Sequence, residues 1–205
     1  MRFIEPCLPT ISRTVPNGPG WAYEIKHDGF RFLAVRHRKQ VRVYSRGGHD
    51  WSERLPAIAK ALRALPVRSV VLDGEGVICG PDGRSEFDAM RACFSRQGAP
   101  GAFLYAFDVL ELDGRDMRTD AWARRREELV GLLADADQGV RLCEHIEGTD
   151  GAIVFRAACN LGLEGIVAKR VDSRYRLGRT REWIKIKNPA HPSDRAGYAD
   201  RAEQA

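Results

Sequence analysis

Apolar residues recur along this chain with two different periods, and the switches between them mark out its elements. Trp21, Tyr23 and Ile25 alternate with polar positions, as do Phe30, Phe32 and Val35 after the Asp28-Gly29 pair. That alternation predicts strands over 21–26, 30–37 and 40–45, and Asp-Gly is a strong hairpin dipeptide, so the three read as a meander. A 3.6-residue spacing over 56–64 predicts a helix with Pro56 in its first turn. The apolar run 68–79 reads as a strand ending at Gly80-Pro81-Asp82-Gly83. Ser85 caps a short helix through Phe94, and strand 102–112 ends at Asp113-Gly114. Asp120 caps an amphipathic helix to about Ala134. Another helix runs from about Thr149 to Gly162, a left-handed C-cap. Strands over 164–171 and 182–188 complete an α+β chain, and the polar stretch 190–205 reads as a loose tail. Arg124-Arg125-Arg126, followed by Glu127 and Glu128, reads as a solvated helix face.

Charged residues inside the apolar segments carry the candidate chemistry. Lys26 ends the first strand of the meander, where the sheet holds its base rigid and its amine can face a pocket. A lysine becomes a nucleophile when burial or nearby cations lower its pKa from about 10.4. Taken alone, Lys-x-Asp-Gly more often describes a surface lysine beside a turn. Glu75 lies inside the apolar strand Val71–Ile78. Glu164 and Lys169 bracket the apolar run Gly165–Ala168, and Trp183-Ile184-Lys185-Ile186-Lys187 sends two amines from one face of a strand. The chain has only six lysines, at 26, 39, 60, 169, 185 and 187, among 33 basic residues. Four of the six fall in these segments. Arginine keeps its proton near neutral pH, so a nucleophilic amine must be lysine.

In this order the segments resemble the covalent nucleotidyltransferases, specifically the adenylation domain of ATP-dependent DNA ligases. The wording is most similar to the bacterial end-joining ligase D type: Trp-x-Tyr-Glu-Ile-Lys-x-Asp-Gly-Phe-Arg, Ser45-Arg46-Gly47-Gly48-His49-Asp50-Trp51, Leu72-Asp73-Gly74-Glu75, Phe107-Asp108-Val109-Leu110, Glu164-Gly165-Ile166-Val167-Ala168-Lys169-Arg170, and Tyr175 through Lys187. The resemblance covers residues 3 to 189. It implies a nucleotidyltransferase (ATP-grasp-like) fold of two antiparallel β-sheets flanked by helices, with the nucleotide pocket between them. It further implies that Lys26 attacks ATP and carries AMP as a phosphoramidate, with Lys185 and Lys187 depressing its pKa and stabilising phosphate charge. By the same resemblance, Glu24, Arg31, Arg46, Phe107, Glu75, Lys169 and Arg181 contact the nucleotide, Phe107 by stacking on adenine. Glu75 and Glu164 would bind Mg²⁺ or Mn²⁺, which needs only one or two carboxylates. Read as isolated residues, Phe107 is equally a core side chain, and the arginines and glutamates are equally surface or paired charges.

A net charge of +5 suits a polyanionic partner, here duplex DNA with nicks or ends, without requiring one. Five scattered cysteines without Cys-x-x-Cys spacing argue against zinc or a disulfide framework. No apolar run reaches the roughly 20 residues of a membrane span, and no signal-peptide pattern opens the chain, so a cytoplasmic, bacterial repair enzyme is the expectation. Ligases of this type continue into an OB-fold domain, for which the 18 residues after Lys187 are too few. The expectation is therefore residues 1–189 as one adenylation domain that seals alone, or with a separate OB-fold or end-joining protein. An RNA ligase, a capping-type nucleotidyltransferase and a non-catalytic nucleotide- or DNA-binding remnant stay open as alternatives. An NAD-dependent ligase is disfavoured, because only 25 residues precede Lys26.

Overall fold

A computed structural model describes residues 3–95, 98–136 and 139–192. Most of the expected tail, from 193 onward, lies outside the described residues. Eleven strands and four α-helices are present among the described residues: β1 (Cys7–Ile11), β2 (Trp21–Ile25), β3 (Phe30–His37), β4 (Gln40–Ser45), α1 (Pro56–Ala64), β5 (Ser69–Val77), α2 (Phe87–Ser95), β6 (Phe103–Leu112), β7 (Arg115–Asp116), α3 (Trp122–Leu133), β8 (Val140–Leu142), β9 (His145–Ile146), α4 (Gly151–Asn160), β10 (Gly165–Arg170) and β11 (Gly178–Lys187). They build two sheets. The first has the order β1-β11-β10-β2-β9, and the second β4-β3-β5-β6-β7 with β8 alongside β6. Both are antiparallel except at β1–β11 and β6–β8, which run parallel.

The expected meander does not form. β2 pairs with β10 and β9 in the first sheet, whereas β3 pairs with β4 and β5 in the second. Lys26-His27-Asp28-Gly29 is thus the crossing from one sheet to the other. Gly29 is needed there for close approach: a Cβ on it would lie 2.3 Å from the Gly76 carbonyl oxygen on β5. A glycine that serves packing in place of a turn looks identical in sequence.

Each sheet buries one face under helix. Ile58, Ala59, Ala61 and Leu62 of α1 join Phe32, Ala34, Val43, Leu72 and Leu104 beneath the second sheet. Val154 and Ala158 of α4 pack on Tyr23, Ile166, Ala168 and Ile186 of the first. Asp150 caps α4 by accepting from the Ala152 N–H. At its other end Gly162 is left-handed (φ 69°), and the Gly162 and Leu163 N–H groups donate to the Cys159 and Ala158 carbonyls. That is the Schellman arrangement expected of a glycine here. Asp120 does not cap α3. The helix starts one residue later, after Ala121, and the Asp120 carboxylate instead accepts from Arg115. Ser85 forms a bridge with Cys79 before α2 begins.

A third apolar cluster lies between the sheets. Cys7, Ala22 and Trp183 of the first meet Leu33, Val35, Val71 and Leu110 of the second, with Trp122 and Tyr175. Where this inter-sheet layer turns polar, a cavity of about 210 Å³ opens.

The arginine run on α3 is not a solvated face. Arg124 is exposed and pairs with Glu127 and Glu128. Arg125 is fully buried, with Nε and Nη2 on the two Asp108 carboxylate oxygens at 2.7 and 2.8 Å. Arg126 is buried too and donates to the Cys143 carbonyl. The buried face of α3 is Trp122, Arg125, Arg126, Leu129 and Leu133, a helical stripe with arginine in two core positions.

Candidate active site

The cavity is lined by residues of both sheets, and strand alternation explains which ones. On the first sheet Glu24 of β2 with Lys26 just beyond it, Val167 and Lys169 of β10, and Trp183, Lys185 and Lys187 of β11 line the cleft. Their neighbours Tyr23, Ile166, Ala168 and Ile186 point the other way, under α4. One period-two pattern per strand therefore supplies core on one face and charge on the other. The second sheet contributes Arg31 of β3, Glu75 of β5 and Phe107 of β6; Arg46 lies at the end of β4. Arg31 and Glu75 are cross-strand partners.

Lys26 sits just past β2, its backbone N–H still donating to the Gly165 carbonyl at 3.0 Å. Its Nζ lies 2.5 Å from Glu164 Oε2. Burial works to lower the Lys26 pKa, but the carboxylates of Glu164 and Glu75 outweigh it and hold the amine above its ordinary value. This differs from the expectation of an amine kept neutral by Lys185 and Lys187: the neighbouring carboxylates control it. Glu75 is pushed up to about 8, first by burial, with Lys26 and Arg31 opposing and Glu164 and Asp28 adding. Asp28 rises to about 6 for similar reasons, burial and then Glu164. His27 falls to about 4 through burial and the adjacent Lys26 charge, and its ring stacks on Tyr105 at 3.9 Å. Such clustered shifts are characteristic of functional sites.

Glu75 and Glu164 both line the cavity beside Lys26. Among the described residues no group of three or more acidic, His or Cys side chains converges as a closed metal cage. Two oxygen donors facing open space suit a hard divalent ion that retains most of its waters, so the residues present fit Mg²⁺ or Mn²⁺.

Two residues expected to contact the nucleotide, Lys169 and Arg181, are placed differently relative to the cavity. Lys169 lines the cavity but is 1 % exposed; its Nζ is 2.7 Å from Glu24 Oε2 and sits over the rings of Phe107 (4.4 Å) and Trp183 (4.1 Å). It is part of the pocket floor. Burial raises the Glu24 pKa, with Lys169 and Arg126 opposing. Arg181 is exposed and does not line the cavity, whereas Arg179 does. The reason is a bulge: β1 advances one residue, Pro9 to Thr10, while β11 advances from Thr180 to Ile184. An irregularity of this kind re-aims side chains and defeats a strict count of two. Phe107 lines the cavity, with the Arg31 guanidinium 4.8 Å over its ring. Sequence reasoning passed over Asp73, Asp108 and Tyr175; a carboxylate within an uninterrupted apolar strand was the available signal for the first two.

Two layered sheets with a lysine-bearing crossing between them define the nucleotidyltransferase fold of DNA ligases. A family model described as "ATP dependent DNA ligase domain" matches residues 6–187, and the chain belongs to that family as an adenylation core. The multifunctional non-homologous end joining protein LigD of Pseudomonas aeruginosa is 37% identical over 185 residues, 90% of this chain and 22% of that protein. DNA ligase B of Mycobacterium tuberculosis is 34% identical over 211 residues, 95% of this chain and 41% of that protein. The chain thus spans between about a fifth and two fifths of these relatives. Among solved structures, mycobacterial DNA ligase D complexed with ATP and MES superposes with a TM-score of 0.76 at 34% identity, covering 90% of this chain and 60% of the other. The ligase domain of M. tuberculosis LigD gives the same TM-score at 35% identity and the same coverage. No helix among the described residues is long and apolar enough to cross a membrane.

Proposed function

We propose that the chain charges Lys26 with AMP from ATP and passes it to a 5′-phosphate at nicks or ends of duplex DNA, in bacterial end-joining repair. The observation that carries this reading is the position of Lys26 Nζ, 2.5 Å from Glu164 in a cleft whose walls also present Lys185, Lys187, Arg31 and Phe107. The Lys26 amine, its side chain 21% exposed, passes its proton to solvent and forms a bond to the α-phosphorus as the bond from phosphorus to the pyrophosphate oxygen breaks and pyrophosphate leaves. Lys185 and Lys187, on the strand beside β10, offset the charge that grows on the phosphate oxygens. Phe107 stacks on the base, and Arg31 and Arg46 hold ribose or phosphate oxygens. Glu75 and Glu164 would hold the divalent ion, which when bound neutralises triphosphate charge. The exposed arginines 174, 176, 179 and 181 suit the DNA backbone.

The test is incubation with α-labelled ATP and Mg²⁺, followed by denaturing electrophoresis and intact mass. A single added AMP in the wild type, absent from Lys26→Ala, is expected. No adduct in folded protein cleared of AMP by pyrophosphate would refute the reading. GTP in place of ATP separates it from a capping-type enzyme. Nick sealing on DNA and RNA duplexes, with and without a separate OB-fold protein, then defines the substrate and the partner.

A further inference from the structure

Arg31 is held by a closed ring of hydrogen bonds that spans the two sheets. Its Nε donates to Asp73 Oδ1 (2.8 Å), and its Nη2 donates to Asp73 Oδ2 (2.7 Å) and to the Cys7 carbonyl (2.9 Å). The Tyr175 hydroxyl donates to Asp73 Oδ2 (2.5 Å) and accepts from the Cys7 N–H (2.9 Å), which closes the ring. Arg31 and Asp73 belong to the second sheet and Cys7 to the first. Tyr175, from the β10–β11 connection, joins them. Asp73 is wholly buried and Tyr175 is 5 % exposed, so water does not compete for these groups. Three of the five guanidinium N–H bonds are consumed, and the two that remain are both on Nη1. Among the described residues Nη1 has no hydrogen-bond partner, and the Arg31 side chain lines the cleft.

We propose that Tyr175 is a positioning residue for Arg31, fixing its guanidinium so that one nitrogen, Nη1, faces the nucleotide. The inference rests on the nucleotide-binding reading of the cleft given above. Its chemical consequence is that Arg31 meets the nucleotide through the two N–H bonds of one nitrogen, in place of gripping a phosphate with a two-nitrogen fork. The hydroxyl is the one part of Tyr175 that the ring of bonds needs. Its aromatic ring packs independently, edge-on to Trp183 at 5.8 Å and near Arg125.

The test is ATP binding by calorimetry in four proteins that cannot form the covalent adduct: Lys26→Ala alone, with Tyr175→Phe, with Arg31→Gln, and with both. Tyr175→Phe is expected to weaken ATP binding about fivefold, the loss of one orienting hydrogen bond. In the Arg31→Gln background the same substitution is expected to change nothing further, because the guanidinium it orients is gone. Thermal melting accompanies each titration, since a purely structural tie would lower the melting temperature equally in both backgrounds. Unchanged affinity in Tyr175→Phe overturns the inference, as does an equal loss with and without Arg31. ATP binding in these proteins without AMP transfer by the wild type would sink the covalent mechanism and leave this assignment standing. No ATP binding in any of the four would overturn both.

Discussion

Lys26 and Glu164 face each other across the seam between β2 and β10, Nζ to Oε2 at 2.5 Å, at the end of an antiparallel ladder that runs from Ile25–Ile166 to Trp21–Arg170. The ladder fixes both side chains at their bases, so neither is free to leave the cleft. Replacing Lys26 by arginine keeps the charge and its partner but removes the amine that can lose a proton. Lys26→Arg is expected to retain the fold and lose all covalent AMP labelling, read by intact mass. Labelled Lys26→Arg would assign the nucleophile elsewhere.

Glu164 is buried and its backbone carbonyl accepts from the Asn188 N–H, which ties it to the far end of β11. Glu164→Ala is expected to leave circular dichroism unchanged while raising the Mg²⁺ concentration needed for half-maximal labelling by tenfold or more, about 1.4 kcal/mol. An unchanged Mg²⁺ titration would remove Glu164 from the metal-binding set.

Arg125 and Asp108 are both fully buried, with no water to replace either partner. Removing one charge strands the other, which typically costs about 3–5 kcal/mol. Arg125→Met should therefore destabilise the protein by that order in urea unfolding, although Arg125 touches neither the cleft nor DNA. A loss below about 1 kcal/mol would mean that the pair is solvated.

Gly165 has φ +143°, and a Cβ there would lie 2.0 Å from the Ile186 carbonyl oxygen. Gly165→Ala has to push β10 and β11 apart next to Glu164 and Lys187. It is expected to destabilise by about 2 kcal/mol or more and to lower AMP labelling with it. Equal unfolding midpoints would show that the strands absorb the methyl group.

His27 titrates in the folded chain near 4, against 6.5 in an unfolded one. Between those values the unfolded chain binds a proton that the folded chain does not, so stability falls as pH falls from about 6.5 toward 4. The loss is on the order of 3 kcal/mol once the pH lies below both values. His27→Phe keeps an aromatic ring over Tyr105 and removes the titration. Its unfolding free energy should be flatter with pH over that window; an identical slope would place the titrating group elsewhere.

What the sequence made legible follows from local physics. Period-two alternation located β3, β5, β6, β10 and β11 within a few residues and placed Lys185 and Lys187 on one face. The non-local choices were not legible. Asp28-Gly29 has hairpin chemistry, yet β2 finds its partner 140 residues later, and no local signal encodes that pairing. β1 is short and holds Pro9, so it reads as coil; only an edge position beside β11 accommodates it. By charge Arg125 and Arg126 belong in solvent, although their spacing from Trp122 and Leu129 is that of a buried stripe. The buried Asp108 that makes this possible lies on a different element. Arg181 lies off the cavity wall although Arg179 lines it, because a bulge breaks the period-two count between Thr180 and Ile184.

The first sheet offers a last consequence. On β2, β10 and β11 the residues that hold the sheet to α4 and those that face the cleft are interleaved one for one. Shifting β11 by a single position would drive Lys185 and Lys187 toward the oily underside and turn Ile184 and Ile186 into the cavity, and a shift of β2 or β10 would do the same to Glu24 or Lys169. Such a slip removes cohesion and chemistry together. A mispaired copy of this domain is thereby an inert one, and single-residue insertions or deletions in these strands should be all-or-nothing where substitutions are graded.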